Sequence, residues 1–235
     1  MRTSSRGRVE LAIMSNELVA ASSNPTFTRR FEDALSYAAE LHRNQKRKGN
    51  ANIPYVGHLL GVASLVIEAG GDEDMAIAAL LHDAVEDQGG KPRLEEIRQK
   101  FGARVAHIVD GCTDSDQSPK PPWLERKRQY IEHVRKLADS DVCFVSAADK
   151  LHNARTILSD FRRLGDSVWE RFSGKKKGTL WYYRTIVEAF REAQSRKGSN
   201  HRLEAGYGRI LDELEGVVAK LEQLSGTLGE LACRG

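Results

Sequence analysis

Cysteine is scarce: 235 residues contain only Cys112, Cys143 and Cys233, far apart and without any CxxC spacing. This excludes a disulfide framework and a thiolate zinc site, and points to a reducing cytoplasm. Long apolar runs are missing as well. No segment approaches the roughly 20 residues that span a bilayer, so no membrane association is expected. Nor does one sign of charge dominate, since 36 basic residues face 33 acidic ones for a net of +3, too even for a general nucleic-acid binder. Nucleic acid is therefore not an expected partner, and local basic clusters matter more than the total. There is neither the alternation of a half-buried strand nor an internal repeat.

What is present is helical periodicity in a chain that is 40% hydrophobic, enough for a substantial core. The pattern predicts an all-α helical bundle. Residues 1–24 read as a poorly ordered leader, 25–196 as the main domain, and 197–235 as a helical extension packed on it. In the leader, Arg2, Arg6 and Arg8 precede Leu11-Ala12-Ile13-Met14, which is too short for a signal-peptide core; Met14 is an alternative start.

From Pro25 and Thr28 a helix carries Phe27, Phe31, Leu35, Ala38 and Leu41 on one face and runs to about Asn44. The basic loop Lys46-Arg47-Lys48-Gly49-Asn50 and the breaker Pro54 follow. A second helix starts near His58, faces Leu59, Val62, Leu65 and Val66 inward, and ends at Gly70-Gly71. Asp72 caps a third, with Met75, Ala79 and His82 on one face, expected to continue through Asp87 to the stop at residues 88–92. Two short helices part at Gly102. Residues 111–122 form a loop long enough to cover a site. Trp123 opens a helix to about Leu137, on which Arg128 reads as a surface residue, and residues 142–158 form a second apolar centre. Lys175-Lys176-Lys177-Gly178 reads as a turn before a helix bearing Trp181, Tyr182 and Tyr183. A last amphipathic helix covers about residues 203–224.

The chemistry concentrates at His82, Asp83, Glu86 and Asp87, four ionisable groups directly behind a buried segment. On a continuous helix His82 and Glu86 share a face, with Asp83 and Asp87 in a second row beside it. One turn then offers an imidazole and a carboxylate to a cation, and a carboxylate pair to a substrate. The plain alternative is a solvated helix end with ordinary surface acids. Companions elsewhere favour the first reading. Asp149 follows Val145 by one helical turn on an otherwise apolar face, where an acid needs a partner; a metal shared with His58 and His82 supplies one. Asn153 lies one turn further along.

Taken together, His58, His82-Asp83 and Asp149 resemble the H…HD…D signature of the HD phosphohydrolase superfamily. The likeness extends to Arg47-Lys48 before Pro54-Tyr55-Val56-Gly57-His58, to Leu80-Leu81-His82-Asp83-Ala84-Val85-Glu86-Asp87, and to FGARVAHIVDGCTD from Phe101. It continues in LERKRQY from Leu124 and ADKLHNARTI from Ala148. These ordered motifs, over about residues 27–190, are similar to the alarmone hydrolases related to the hydrolase half of the RelA/SpoT enzymes. With no synthetase or regulatory pattern after them, the expected relatives are the small stand-alone hydrolases, the group that includes the metazoan SpoT homologue.

The resemblance implies an all-helical fold and hydrolysis of the 3′-pyrophosphate of guanosine tetra- or pentaphosphate to GDP or GTP and pyrophosphate. It implies Mn²⁺ as cofactor, although nitrogen and oxygen ligands also suit other divalent metals. His58, His82, Asp83 and Asp149 would hold the metal, while Glu86 and Asp87 would position and deprotonate the attacking water. Arg47 and Lys48 would contact the nucleotide, Asn153 and Thr156 the nucleoside and Lys127 the phosphates; Tyr182 is a looser transfer among the substrate-binding residues. Gln88 stands where a threonine is common, and residues 89–92 form an insert beside the site; both bear on substrate preference. Adenosine 3′-pyrophosphates, NADPH or another nucleotide are the alternative substrates. A sensor that binds alarmones without cleaving them is the reading of another class. No oligomeric state is read from the sequence.

Overall fold

In the computed structural model, which describes residues 27–49, 52–115, 119–136, 138–195 and 201–226, helices account for most of the described residues. They are α1 (Arg29–Leu41), α2 (Val56–Glu68), α3 (Glu73–Leu81), α4 (Ala84–Asp87), α5 (Gly90–Phe101) and α6 (Ala103–Cys112). After them come α7 (Trp123–Lys136), α8 (Ser140–Leu164), a 3₁₀ segment (Gly165–Arg171), α9 (Lys175–Ser195) and α10 (His201–Leu224). The bridge between Lys46 and Pro54 is the only β pairing among the described residues, as an all-α chain requires. The leader expected at 1–24, Met14 and Cys233 lie outside the described residues.

Side chains that accept from otherwise unpaired first-turn amides define three of the helix starts. Thr28 caps α1, Asp72 caps α3 through the Met75 amide at 3.0 Å, and Asp139 caps α8 through the Val142 amide at 3.0 Å. Every residue of α3 from Met75 to Leu81 is fully buried, which is why its sequence is apolar all round rather than striped. It packs against α1, α2, α6 and α8. Each fully buried large apolar side chain in this centre contributes about 1.5–3 kcal/mol relative to exposure.

The 25-residue α8 is about 38 Å long at 1.5 Å per residue and touches α2, α3 and α6 as well as α9 and α10. It therefore carries its middle residues, Asp149 to Asn153, into the heart of the bundle. Along it lies α10, which buries Tyr207, Leu211, Leu214 and Leu221. The crossing of α10 over the end of α2 is close: a Cβ on Gly206 would fall 1.8 Å from the Ala69 carbonyl oxygen, so this position accepts only glycine without movement.

Three local expectations change. The third helix does not run unbroken to Asp87; it stops at Leu81, and α4 resumes at Ala84. His82 Nδ1 takes up the Ala79 carbonyl at 2.8 Å, an acceptor that the next turn of the ladder would otherwise use. The first helix ends at Leu41 rather than Asn44. Lys175-Lys176-Lys177-Gly178 is the opening turn of α9, not a turn before it, because Gly174 and Gly178 make room for the Trp123 indole instead of ending a helix.

Candidate active site

Three chain segments converge on one buried point. His58 comes from the first turn of α2, His82 and Asp83 from the junction between α3 and α4, and Asp149 from the middle of α8. His58, His82 and Asp149 are 2%, 2% and 5% exposed. Their ligand atoms all lie within 4.8 Å of one another, a span one cation bridges. From His58 Nε2 the distance is 3.1 Å to Asp149 Oδ1 and 3.6 Å to Asp83 Oδ2; from His82 Nε2 it is 3.0 Å to Asp83 Oδ2 and 3.5 Å to Asp149 Oδ1.

The fit to a divalent metal rests on two orphaned atoms. Nε2 of His58 and Nε2 of His82 are buried without a hydrogen bond of acceptable geometry, although carboxylate oxygens surround them. A buried polar atom left unpaired is costly, and a cation would satisfy both at once. The second nitrogen of each ring is already engaged, His82 Nδ1 with the Ala79 carbonyl and His58 Nδ1 with His152 Nδ1 at 2.9 Å. Imidazole and carboxylate donors of this kind suit Mn²⁺, Fe²⁺ or Zn²⁺.

Electrostatics hold Asp83, Asp149 and His82 ionised. Burial alone would push the Asp83 and Asp149 carboxyls up, but His82 beside Asp83, and Lys150 with both histidines beside Asp149, keep them well below the usual carboxylate range. For His82 burial works downward, and the two aspartates outweigh it to hold the imidazole well above its ordinary value. Lys150 Nζ lies 2.5 Å from Asp149 Oδ2, turning the carboxylate so that Oδ1 faces the histidines. Tyr55 Oη donates to Asp83 Oδ2 at 2.5 Å.

Glu86 and Asp87 occupy α4, the turn directly after Asp83. Lys120 Nζ sits 2.7 Å from Glu86 Oε1 and 3.7 Å from Asp87 Oδ1, while Gln45 Nε2 donates to Asp87 Oδ2 at 2.7 Å. Across the site, the Lys46–Pro54 bridge pinches the basic loop and presents Arg47, whose Nη2 donates to Asn153 Oδ1 at 2.7 Å. Asn153 Nδ2 in turn donates to Asp149 Oδ1 at 2.5 Å, which ties the loop to the metal ligands. Lys48 is exposed beside Arg47, and the Thr156 hydroxyl donates to the His152 carbonyl at 2.9 Å on its own helix.

Lys127 and Tyr182 contact each other. Lys127 Nζ lies 4.9 Å from the Tyr182 ring centre and 2.7 Å from Asp114 Oδ2. Neither makes a hydrogen bond or ion pair with His58, His82 or Asp149 among the described residues. Sequence reasoning left several site neighbours without a role: Gln45, Tyr55, Lys120, Lys150 and His152. Tyr55, Lys150 and His152 sit inside quoted motifs and were recoverable from adjacency. Gln45 and Lys120 reach the acids from loops 42 and 34 residues away, a proximity with no local signal.

A profile of the HD domain matches residues 34–180 of this chain. Among curated proteins, the chain is 33% identical over 183 residues to the guanosine-3′,5′-bis(diphosphate) 3′-pyrophosphohydrolase MESH1 of Mus musculus, covering 77% of this chain and 92% of that one. To the protein of the same name in Danio rerio it is 41% identical over 127 residues, covering 53% of this chain and 67% of the other. Among solved structures, it superposes with a TM-score of 0.62 and 29% identity on a metazoan orthologue of SpoT described as hydrolyzing ppGpp and playing a role in starvation responses. That match covers 80% of this chain and 97% of the other. The profile runs from α1 into α9 and takes in every residue of the converging cluster, so the chain belongs to the HD-domain family.

Proposed function

We propose that this chain is a metal-dependent hydrolase that removes the 3′-pyrophosphate of guanosine tetra- and pentaphosphate, releasing pyrophosphate and GDP or GTP. The observation that carries it is the pair of orphaned imidazole nitrogens facing the Asp83 and Asp149 carboxylates, in a chain whose near-full-length relatives bear that activity in their names. His58, His82, Asp83 and Asp149 are the proposed metal ligands, and Mn²⁺ the proposed ion. Such an ion supplies Lewis-acid polarisation of a phosphoryl group and a lowered pKa for water.

The chain's own residues do the rest. Glu86 and Asp87 orient the attacking water and accept its proton, a role within reach because α4 directly follows Asp83. Arg47 receives the anionic nucleotide at the mouth, supported by its bond to Asn153; Lys48 adds charge beside it. Asn153 and Thr156 line the nucleoside side, while Lys127 with Tyr182 serves the distal phosphates. The cytoplasmic setting expected from the cysteine pattern belongs to the same reading.

The deciding experiment is pyrophosphate release from guanosine 3′-pyrophosphates, with adenosine 3′-pyrophosphates and NADPH in parallel, each with and without Mn²⁺. Mn²⁺-dependent cleavage of the guanosine substrates is expected. Preferential cleavage of another nucleotide would reassign the substrate, and tight nucleotide binding without any cleavage would make the chain a sensor.

A further inference from the structure

His152 takes no part in the mechanism above, yet its ring centre lies 4.8 Å from that of His58, with the two Nδ1 atoms 2.9 Å apart. Gly61 makes the approach possible. One turn beyond His58 on α2, a Cβ at Gly61 would fall 2.3 Å from Cδ2 and Nε2 of the His152 ring. Any side chain there would press that ring out of its position against His58.

Two Nδ1 atoms at this distance bond only when one carries a proton and the other offers a lone pair. The choice decides what His58 presents to the site. If His152 donates, neutral His58 must keep its proton on Nε2, and nothing is left to bind a cation. If His152 accepts, the proton sits on His58 Nδ1 and Nε2 offers its lone pair beside Asp149 Oδ1 at 3.1 Å. At His82 the partner of Nδ1 is a backbone acceptor, the Ala79 carbonyl. Near His58 that part falls to a side chain.

We propose that His152 is a positioning residue for His58: its Nδ1 accepts the His58 Nδ1–H bond, fixing the tautomer and ring direction in which His58 Nε2 is offered to a divalent cation. The inference rests on the metal-dependent reading above, and on the general habit of metal-binding imidazoles to donate through their other nitrogen.

The wild-type chain carries the first test. In ¹⁵N-labelled, metal-free protein, two-bond ¹H–¹⁵N correlations are expected to show His58 Nδ1 protonated and coupled to His152 Nδ1. A proton residing on His152 Nδ1, or no coupling, overturns the proposal. The second test is Mn²⁺ affinity read from the electron paramagnetic resonance of the free ion. His152→Leu should bind about 10–100-fold more weakly, whereas His152→Asn, whose amide oxygen substitutes for Nδ1, should stay within about threefold of wild type. Gly61→Ala should reproduce the loss without altering any imidazole. Unchanged affinity in both His152→Leu and Gly61→Ala refutes the role. A wild-type chain that binds no Mn²⁺ instead refutes the metal-dependent reading, and the tautomer measurement then judges this proposal by itself. The same measurement decides if His152→Leu fails to fold.

Discussion

Replacing Asp149 by asparagine preserves the outline of the side chain and removes its charge, so it isolates what the carboxylate does. One oxygen lies 3.1 and 3.5 Å from the two orphaned Nε2 atoms, and the other 2.5 Å from Lys150 Nζ, with the residue 5% exposed. Two effects follow. The mostly covered Lys150 ammonium loses its counter-charge, and breaking a buried pair by removing one partner costs about 3–5 kcal/mol. At about 2–4 °C per kcal/mol for a chain of this size, Tm should fall by at least about 6 °C. Separately, the metal site loses a charged ligand. Saturating wild type at 100 times its dissociation constant should add about 2.7 kcal/mol of stability, by ligation of the folded state alone. That corresponds to a rise of about 5–10 °C. Thermal melts of both proteins with Mn²⁺ and with chelator give all four numbers. The variant should melt lower and respond little to Mn²⁺. An Mn²⁺-dependent rise in Asp149→Asn equal to that of wild type would refute the ligand assignment.

Glu86→Gln should reduce pyrophosphate release about 10²-fold or more while leaving Mn²⁺ affinity in place, and unchanged turnover would remove Glu86 from the proton transfer. Gly206→Ala drives a methyl group into the Ala69 carbonyl, so α10 must move off α2 at a cost of about 1–3 kcal/mol or more; an unaltered urea midpoint would refute that packing. In metal-free protein the His82 imidazole is held above its ordinary 6.5, so its stabilisation is present below that value and lost as pH rises through the folded value. The Asp83 and Asp149 carboxyls are held below 3.8, so theirs is present above that value and lost as pH falls through the folded values. Urea midpoints should therefore decline on both sides of a plateau between these limits. Binding of Mn²⁺ near pH 7 should expel about one proton from His82, measurable by calorimetry in buffers of different ionisation enthalpy; no release would contradict the protonated state.

The helices were legible because periodicity is a local property. Apolar residues at helical spacing and the caps at Thr28, Asp72 and Asp139 act within a few positions of themselves, so the chain alone determined an all-α bundle and most of its boundaries. The candidate ligands were legible for a related reason: a carboxylate such as Asp149 in an apolar stretch requires a partner wherever the chain goes. Only the tertiary structure decided which nitrogen of each imidazole faces that partner. That outcome depends on acceptors brought in from elsewhere: the Ala79 carbonyl freed where α3 breaks off, and His152, 94 residues beyond His58 and admitted by the bare backbone of Gly61. Residue types and spacing settle which groups can bind a metal; the direction of a proton between two rings is settled by contacts across the bundle, which no local pattern encodes.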